Sequence, residues 1–142
     1  MISTILVTDD NVLDNAILRN FLYKEHVNII SALNGREALD MVESRNVDII
    51  ILDMVMPVLD GYGFLEEFSK TSYYKEIPVI VASGIENHEL ERVFNYDIYD
   101  FILKPLNMAN KLFLINKIRK ALQFRKMLVA LKKRNIDIGD IK

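Results

Sequence analysis

The chain has 142 residues, no cysteine and a formal net charge of −2, and 51% of its residues are hydrophobic. This size and composition are typical of one domain with a real core, and the lack of cysteine excludes disulfides and thiolate chemistry. The apolar runs are too short to span a bilayer and the amino end lacks a signal-peptide pattern, so we expect a cytoplasmic protein without a membrane span.

Five apolar runs alternate along the chain with segments of helical periodicity. The runs predict strands at residues 4–7, 27–31, 48–52, 79–82 and 99–103. A helical pattern follows each run, and these patterns begin near Val12, Asn34, Asp60, Glu86 and Met108. This alternation predicts an α/β fold with a five-stranded, all-parallel sheet that helices cover on both faces.

Two helix starts carry a capping signal. Asn34 is followed three residues later by Glu37, which is typical of a capping box. Asp60 precedes Gly61, and we interpret its carboxylate as the N-cap of the third helix. Asp14 lies on the first helix, where we expect a solvated surface position. Neither aspartate is therefore counted among the candidate site residues.

Polar residues follow four of the five predicted strands. Asp9 and Asp10 follow the first strand, Asp53 the third, Ser83 the fourth and Lys104 the fifth. Ligands of such sheets bind beyond the carboxyl ends of the strands, so these side chains are expected to meet at one edge. Three neighbouring carboxylates repel one another and favour a hard cation with oxygen ligands, such as Mg²⁺. The pattern therefore predicts a chemical site and not a set of unrelated helix caps.

These residues resemble the receiver domain of two-component response regulators, and the resemblance covers residues 2 to about 122. It implies a doubly wound, flavodoxin-like (βα)5 fold. We therefore divide the chain into a receiver domain at 1–122 and a basic helical extension at 123–142. The matching features are Asp9-Asp10, the segment DMVMPVLDG that begins at Asp53, Ser83-Gly84, Phe101 and Lys104-Pro105.

The resemblance implies a phosphoacceptor at Asp53. A histidine kinase or a phosphotransfer protein would supply the phosphoryl group. The Mg²⁺ ligands would be Asp9, Asp10, Asp53 and the backbone carbonyl of Val55. A protein of this kind phosphorylates itself with Mg²⁺ but is not an enzyme that turns over an external substrate.

The resemblance also implies how phosphorylation is sensed. Ser83 and Lys104 would contact the phosphoryl oxygens, and Ser83 together with Phe101 would form the switch. The Lys104-Pro105 peptide bond would be cis, an isomer that proline makes accessible. A downstream target protein would then recognise the altered surface.

The last predicted helix carries two apolar stripes. Leu114, Ile115, Ile118 and Leu122 form the face expected to pack on the sheet. The second stripe points roughly 120° away at 100° per residue, so one straight helix cannot lay both on the same sheet. We expect a homodimer to cover the second stripe, or else a bent tail that folds back on its own domain. This stripe consists of Phe124, Met127, Leu128 and Leu131.

The same segment is strongly basic. Residues 1–110 carry 8 Lys or Arg and 18 Asp or Glu, whereas residues 111–142 carry 10 and 2. Such a segment can bind nucleic acid, anionic lipid or an acidic partner, or it can lie against its own acidic domain. We favour the last interpretation and do not expect nucleic acid, because the interleaved aromatics of a single-strand binder are lacking.

Three functional interpretations stay open at this stage. The chain resembles a single-domain response regulator of the chemotaxis or phosphorelay kind. It could instead be the receiver part of a larger regulator whose output domain is missing, or a receiver-like interaction module that is never phosphorylated. The presence of Asp53, Ser83 and Lys104 together argues against the last of these.

Overall fold

The computed structural model describes residues 2–84 and 87–135, with the side chains of 87, 88 and 90 excepted. A parallel sheet of five strands in the order β2-β1-β3-β4-β5 forms the centre of these residues. Each strand lies within one residue of its predicted bounds, so the predicted fold is confirmed. The strands are β1 (Thr4–Thr8), β2 (Asn28–Ala32), β3 (Ile49–Leu52), β4 (Val79–Ser83) and β5 (Asp100–Leu103).

Helices connect the strands, and a 3₁₀ turn at Ser72–Lys75 precedes β4. The predicted caps are present: the Asn34 side chain accepts from Glu37 N, and Asp60 Oδ1 accepts from Gly63 N at 2.8 Å. The last helix begins three residues later than Met108, and Glu86, the predicted start of the fourth, lies outside the described residues. The helices are α1 (Val12–Phe21), α2 (Gly35–Ser44), α3 (Gly61–Phe68), α4 (Asn87–Val93) and α5 (Lys111–Lys133).

The core has two layers, one on each face of the sheet. Successive side chains of a strand point to opposite faces, so Ile49 and Ile51 belong to one layer and Ile50 and Leu52 to the other. All four of these β3 side chains are almost completely buried, as a central strand covered on both faces requires. Helices α1 and α5 pack in the layer that contains Ile49. Their residues in this layer are Leu18, Phe21, Leu114, Ile115, Ile118 and Ala121.

Helix α5 is assigned without a break from Lys111 to Lys133, and its second apolar stripe is covered in part by its own domain. Leu128 is only 1% exposed, and the Phe124 ring packs on Tyr99 with centroids 5.4 Å apart. Met127 is 42% exposed. Leu128 is therefore covered within one chain, and a homodimer through this stripe stays a prediction.

Polar contacts fix this part of α5 at the amino-terminal edge of the sheet. Arg125 Nη1 donates to the carbonyl of Glu76 at 2.8 Å, and its Nε lies 3.5 Å from Asp48 Oδ1. Lys132 pairs with the Glu76 carboxylate. Asp48 directly precedes β3, and Glu76 lies three residues before β4. Basic residues of α5 therefore lie against acidic residues of the same domain, as the charge distribution predicts. None of the helices in the described part of the chain has the length and hydropathy to cross a membrane.

Candidate functional site

Hydrogen bonds beyond the strand ends bring the predicted residues together. Asp53 N donates to the Thr8 carbonyl at 2.9 Å, which continues the pairing of β1 with β3 and places Asp53 beside Asp9. Lys104 N donates to the Ser83 carbonyl at 3.1 Å, which continues the pairing of β4 with β5. The carboxyl edge therefore gathers the side chains that the sequence analysis assigned to it.

Three of these side chains form an acidic cluster. One carboxylate oxygen from each of Asp9, Asp10 and Asp53 lies within 4.8 Å of the others. Asp9 and Asp53 are buried, whereas Asp10 is exposed. Burial raises the pKa of Asp9 in spite of its hydrogen bond with Lys104. An all-oxygen donor set of this size matches the ligands that Mg²⁺ prefers.

Asp53 is held by a buried hydroxyl. Ser83 is completely buried, and its Oγ donates to Asp53 Oδ1 at 2.8 Å. The same Oγ lies 3.4 Å from Met54 N, and Val55 N lies 3.4 Å from Asp53 Oδ1. The hydrogen bond from Ser83 orients one oxygen of the Asp53 carboxylate. The Val55 side chain is 68% exposed.

Lys104 contacts three carboxylates, and one of them corrects the sequence analysis. Its Nζ lies 2.6 Å from Asp9, 2.7 Å from Asp14 and 3.2 Å from Asp53. Asp14 was expected on the solvated surface, but its side chain is 19% exposed and faces the site. Burial alone lowers the pKa of Lys104, but the hydrogen bonds to Asp14 and Asp9 and the charge of Asp53 outweigh it, so the pKa is raised.

The segment after Asp53 is a loop with close backbone contacts. Gly61 N donates to the Met54 carbonyl at 3.1 Å, and a Cβ at Gly61 would lie 2.6 Å from Met54 Cα. Only glycine fits this approach. Leu59 N donates to the Pro57 carbonyl at 2.8 Å around Val58, which has a φ of 67° and is 84% exposed. A β-branched residue is strained in this conformation.

Phe101, the predicted switch aromatic, lies in β5. Phe101 is partly buried in β5, and its ring centroid is 6.4 Å from that of Phe94, which is 62% exposed. The Lys104-Pro105 peptide bond is cis. Phe101 thus lies between the core and an exposed aromatic in the turn that follows α4.

Known proteins share this sequence pattern. The family model of the response regulator receiver domain matches residues 5–132. The response regulator GtcR of Aneurinibacillus migulanus is 33% identical over 127 residues, which cover 87% of this chain and 51% of GtcR. The two-component response regulator ORR5 of Oryza sativa is 32% identical over 109 residues, which cover 75% of this chain and 81% of ORR5. The chain thus spans about half the length of GtcR.

Solved structures share the fold. A CheY-like response regulator receiver domain protein of Methanospirillum hungatei superimposes with a TM-score of 0.78 at 21% identity, over 89% of this chain and 98% of that one. The chemotaxis response regulator CheY4 of Vibrio cholerae gives 0.74 at 23% identity, over 83% and 99%. Because the family model matches most of the chain, the protein belongs to the response regulator receiver family.

Proposed function

We propose that this domain switches a signalling surface when Asp53 accepts a phosphoryl group from a histidine kinase or a phosphotransfer protein. The observation that carries the proposal is the environment of Asp53. Its two oxygens lie 2.8 Å from the Ser83 hydroxyl and 3.2 Å from the Lys104 ammonium, beside two further carboxylates. Phosphoryl transfer depends mainly on positioning and charge neutralisation, and these groups can supply both.

In the proposed reaction an Asp53 oxygen bonds to the phosphorus of the donor while the bond from phosphorus to the donor histidine breaks. The histidine nitrogen leaves with the bonding electron pair, and an acyl phosphate remains on Asp53. Lys104 presents a compact positive charge to the phosphoryl oxygens, and Ser83 presents a hydroxyl. Burial of Asp53 limits the access of water to the product.

Mg²⁺ is the proposed cofactor, because the acidic cluster fits its ligand preferences. Asp9, Asp10 and Asp53 would hold it through their carboxylates, with the backbone carbonyl of Val55 as the further ligand that the family implies. When bound, the ion would neutralise negative charge at the phosphoryl oxygens.

The proposed readout is a change of surface shape. The phosphoryl group adds roughly −1.5 to −2 charges at Asp53, which draws the Ser83 hydroxyl toward the new oxygens. Ser83 is completely buried, so its movement changes the packing available to Phe101. The surface near Phe101 and Phe94 would then bind a downstream target protein.

A variant without the nucleophile tests this function. Asp53→Asn keeps the shape of the side chain, so a small-molecule phosphodonor with Mg²⁺ should add one phosphoryl group to the wild type and none to the variant, measured by intact mass. Asp60→Asn is the matched control, because asparagine caps a helix as well as aspartate does and Asp60 lies in the same loop. Equal labelling of Asp53→Asn and the wild type would refute the proposal.

Two lengths of protein are compatible with this function. The chain spans 81% of ORR5, as a stand-alone regulator would, but only 51% of GtcR, as the receiver part of a longer regulator would. A stand-alone regulator and the receiver part of a longer one would use the same chemistry at Asp53. They would differ in the target that responds to phosphorylation. An interaction module that is never phosphorylated is the third candidate, and the Asp53→Asn experiment separates it from the other two.

A further inference from the structure

All three hydrogen-bond donors of the Lys104 ammonium are engaged. A lysine ammonium has three donors and no acceptor. Here three carboxylates accept from it: Asp9 Oδ2 at 2.6 Å, Asp14 Oδ2 at 2.7 Å and Asp53 Oδ2 at 3.2 Å. The contact to the proposed phosphoacceptor is the longest of the three. Lys104 is therefore held mainly by Asp9 and Asp14.

The start of α1 holds the backbone of Asp14 beside the site. Asn11 caps this helix, and its Oδ1 accepts from Asp14 N at 3.0 Å. Asn15 Nδ2 donates to the carbonyls of Asp9 and Asn11, both at 2.9 Å, which ties the first turn of α1 to the end of β1. The Asp14 side chain is only 19% exposed. Its carboxylate thus belongs to the site and not to the solvated surface.

A phosphoryl group on Asp53 would compete with these contacts. It brings oxygens that are strong hydrogen-bond acceptors, together with additional negative charge. Because the three donors of Lys104 are engaged, a new contact with a phosphoryl oxygen requires the loss of an existing one. Asp9 already has a role in the proposed reaction as a metal ligand, whereas Asp14 has none. Loss of the ion pair with Asp14 would free a donor of Lys104 and leave both metal ligands in place.

We propose that Asp14 is a positioning residue that competes with the phosphoryl group for the donors of Lys104 and so opposes phosphorylation of Asp53. This inference rests on the proposed function of Asp53. It predicts that the strength of one ion pair, between Asp14 and Lys104, sets how readily the domain enters its phosphorylated state. Asp14→Asn keeps the size of the side chain and removes its charge, so Lys104 should become available.

The affinity for beryllofluoride, a mimic of the phosphoryl group, measures this availability at saturating Mg²⁺. We expect Asp14→Asn to bind it at least about fivefold more tightly than the wild type, the low end of coupling between two sites. Asp14→Glu keeps the negative charge and should bind within about twofold of the wild type. Asp40→Asn makes the same charge change at an exposed position of α2 and should leave the affinity unchanged.

A double-mutant cycle separates the ion pair from a general effect of charge. In a Lys104→Met background, Asp14→Asn should no longer increase the affinity. An increase that persists in that background, or an affinity of Asp14→Asn equal to or below that of the wild type, would overturn the inference. If the wild type itself fails to bind beryllofluoride, the proposed function is refuted and this inference with it.

A measurement without beryllofluoride tests the positioning directly. The ¹⁵N resonance of the Lys104 ammonium reports its hydrogen-bond partners, and Asp14→Asn should shift it and speed the exchange of its protons with water. Asp40→Asn should do neither. An unchanged Lys104 resonance in Asp14→Asn would overturn the inference whatever the result of the binding experiment.

Discussion

Truncation of Leu128 should show that the end of α5 is part of the folded domain. Leu128 is 1% exposed, so Leu128→Ala removes a fully buried side chain and leaves a cavity. Such changes cost about 2–5 kcal/mol, and we expect about 2–3 kcal/mol because this segment can partly close the space. The matched control is the adjacent Met127, which is 42% exposed and should lose less than about 1 kcal/mol on truncation to alanine.

The assay is urea unfolding followed by circular dichroism at two protein concentrations. The loss in Leu128→Ala should appear as a lower midpoint and should not depend on concentration, because one chain covers the side chain. Equal losses in the two variants would show that the extension contributes no buried packing. A loss that grows on dilution would instead show that a second chain covers Leu128, as the homodimer prediction requires.

Two further predictions concern single positions. Val58 has a φ of 67°, so Val58→Asn should raise the free energy of unfolding by about 0.5–1 kcal/mol, whereas Val55→Asn, at a position without positive φ, should not. Arg119 lowers the pKa of Glu25 from its ordinary value of 4.5 by donating hydrogen bonds to it. A carboxyl group with a lowered pKa stabilises the folded state at every pH above its ordinary pKa. This stabilisation is lost as the pH falls through the lowered pKa. Wild type and Arg119→Gln should therefore differ in midpoint at neutral pH and converge in acid.

The sheet could be predicted from the sequence because its strands are short apolar runs buried on both faces. The run before Asp53, Ile49–Leu52, has no polar side chain, and a charged residue stands at each of its ends, Asp48 and Asp53. The same reasoning locates the site, since the residues that end the strands are also those that meet at the carboxyl edge. Fold and site were therefore predicted from one pattern.

Asp14 was misassigned because its environment depends on the direction of α1 and not on the local sequence. An aspartate in the first turn of a helix is ordinarily a solvated residue that favours the helix dipole. Here that turn lies at the carboxyl edge of the sheet, and only the fold brings Lys104, 90 residues away, to within 2.7 Å. The available signal was its place four residues after Asp10, on the helix that starts at the site.

The position of the end of α5 can be understood from the lengths of the helix and of the strands beside it. A helix of 23 residues is about 35 Å long, whereas the strands beside it, of 4 or 5 residues, are about 13–17 Å long. Helix α5 begins beyond the carboxyl edge and runs against the strand direction, so its second half must extend past the amino edge. The two stripes can therefore point in different directions without a bend or a partner. The first packs on the face of the sheet, and Phe124 of the second packs on Tyr99, directly before β5. In the same part of the helix, Arg125 contacts Asp48 and Glu76, which precede β3 and β4.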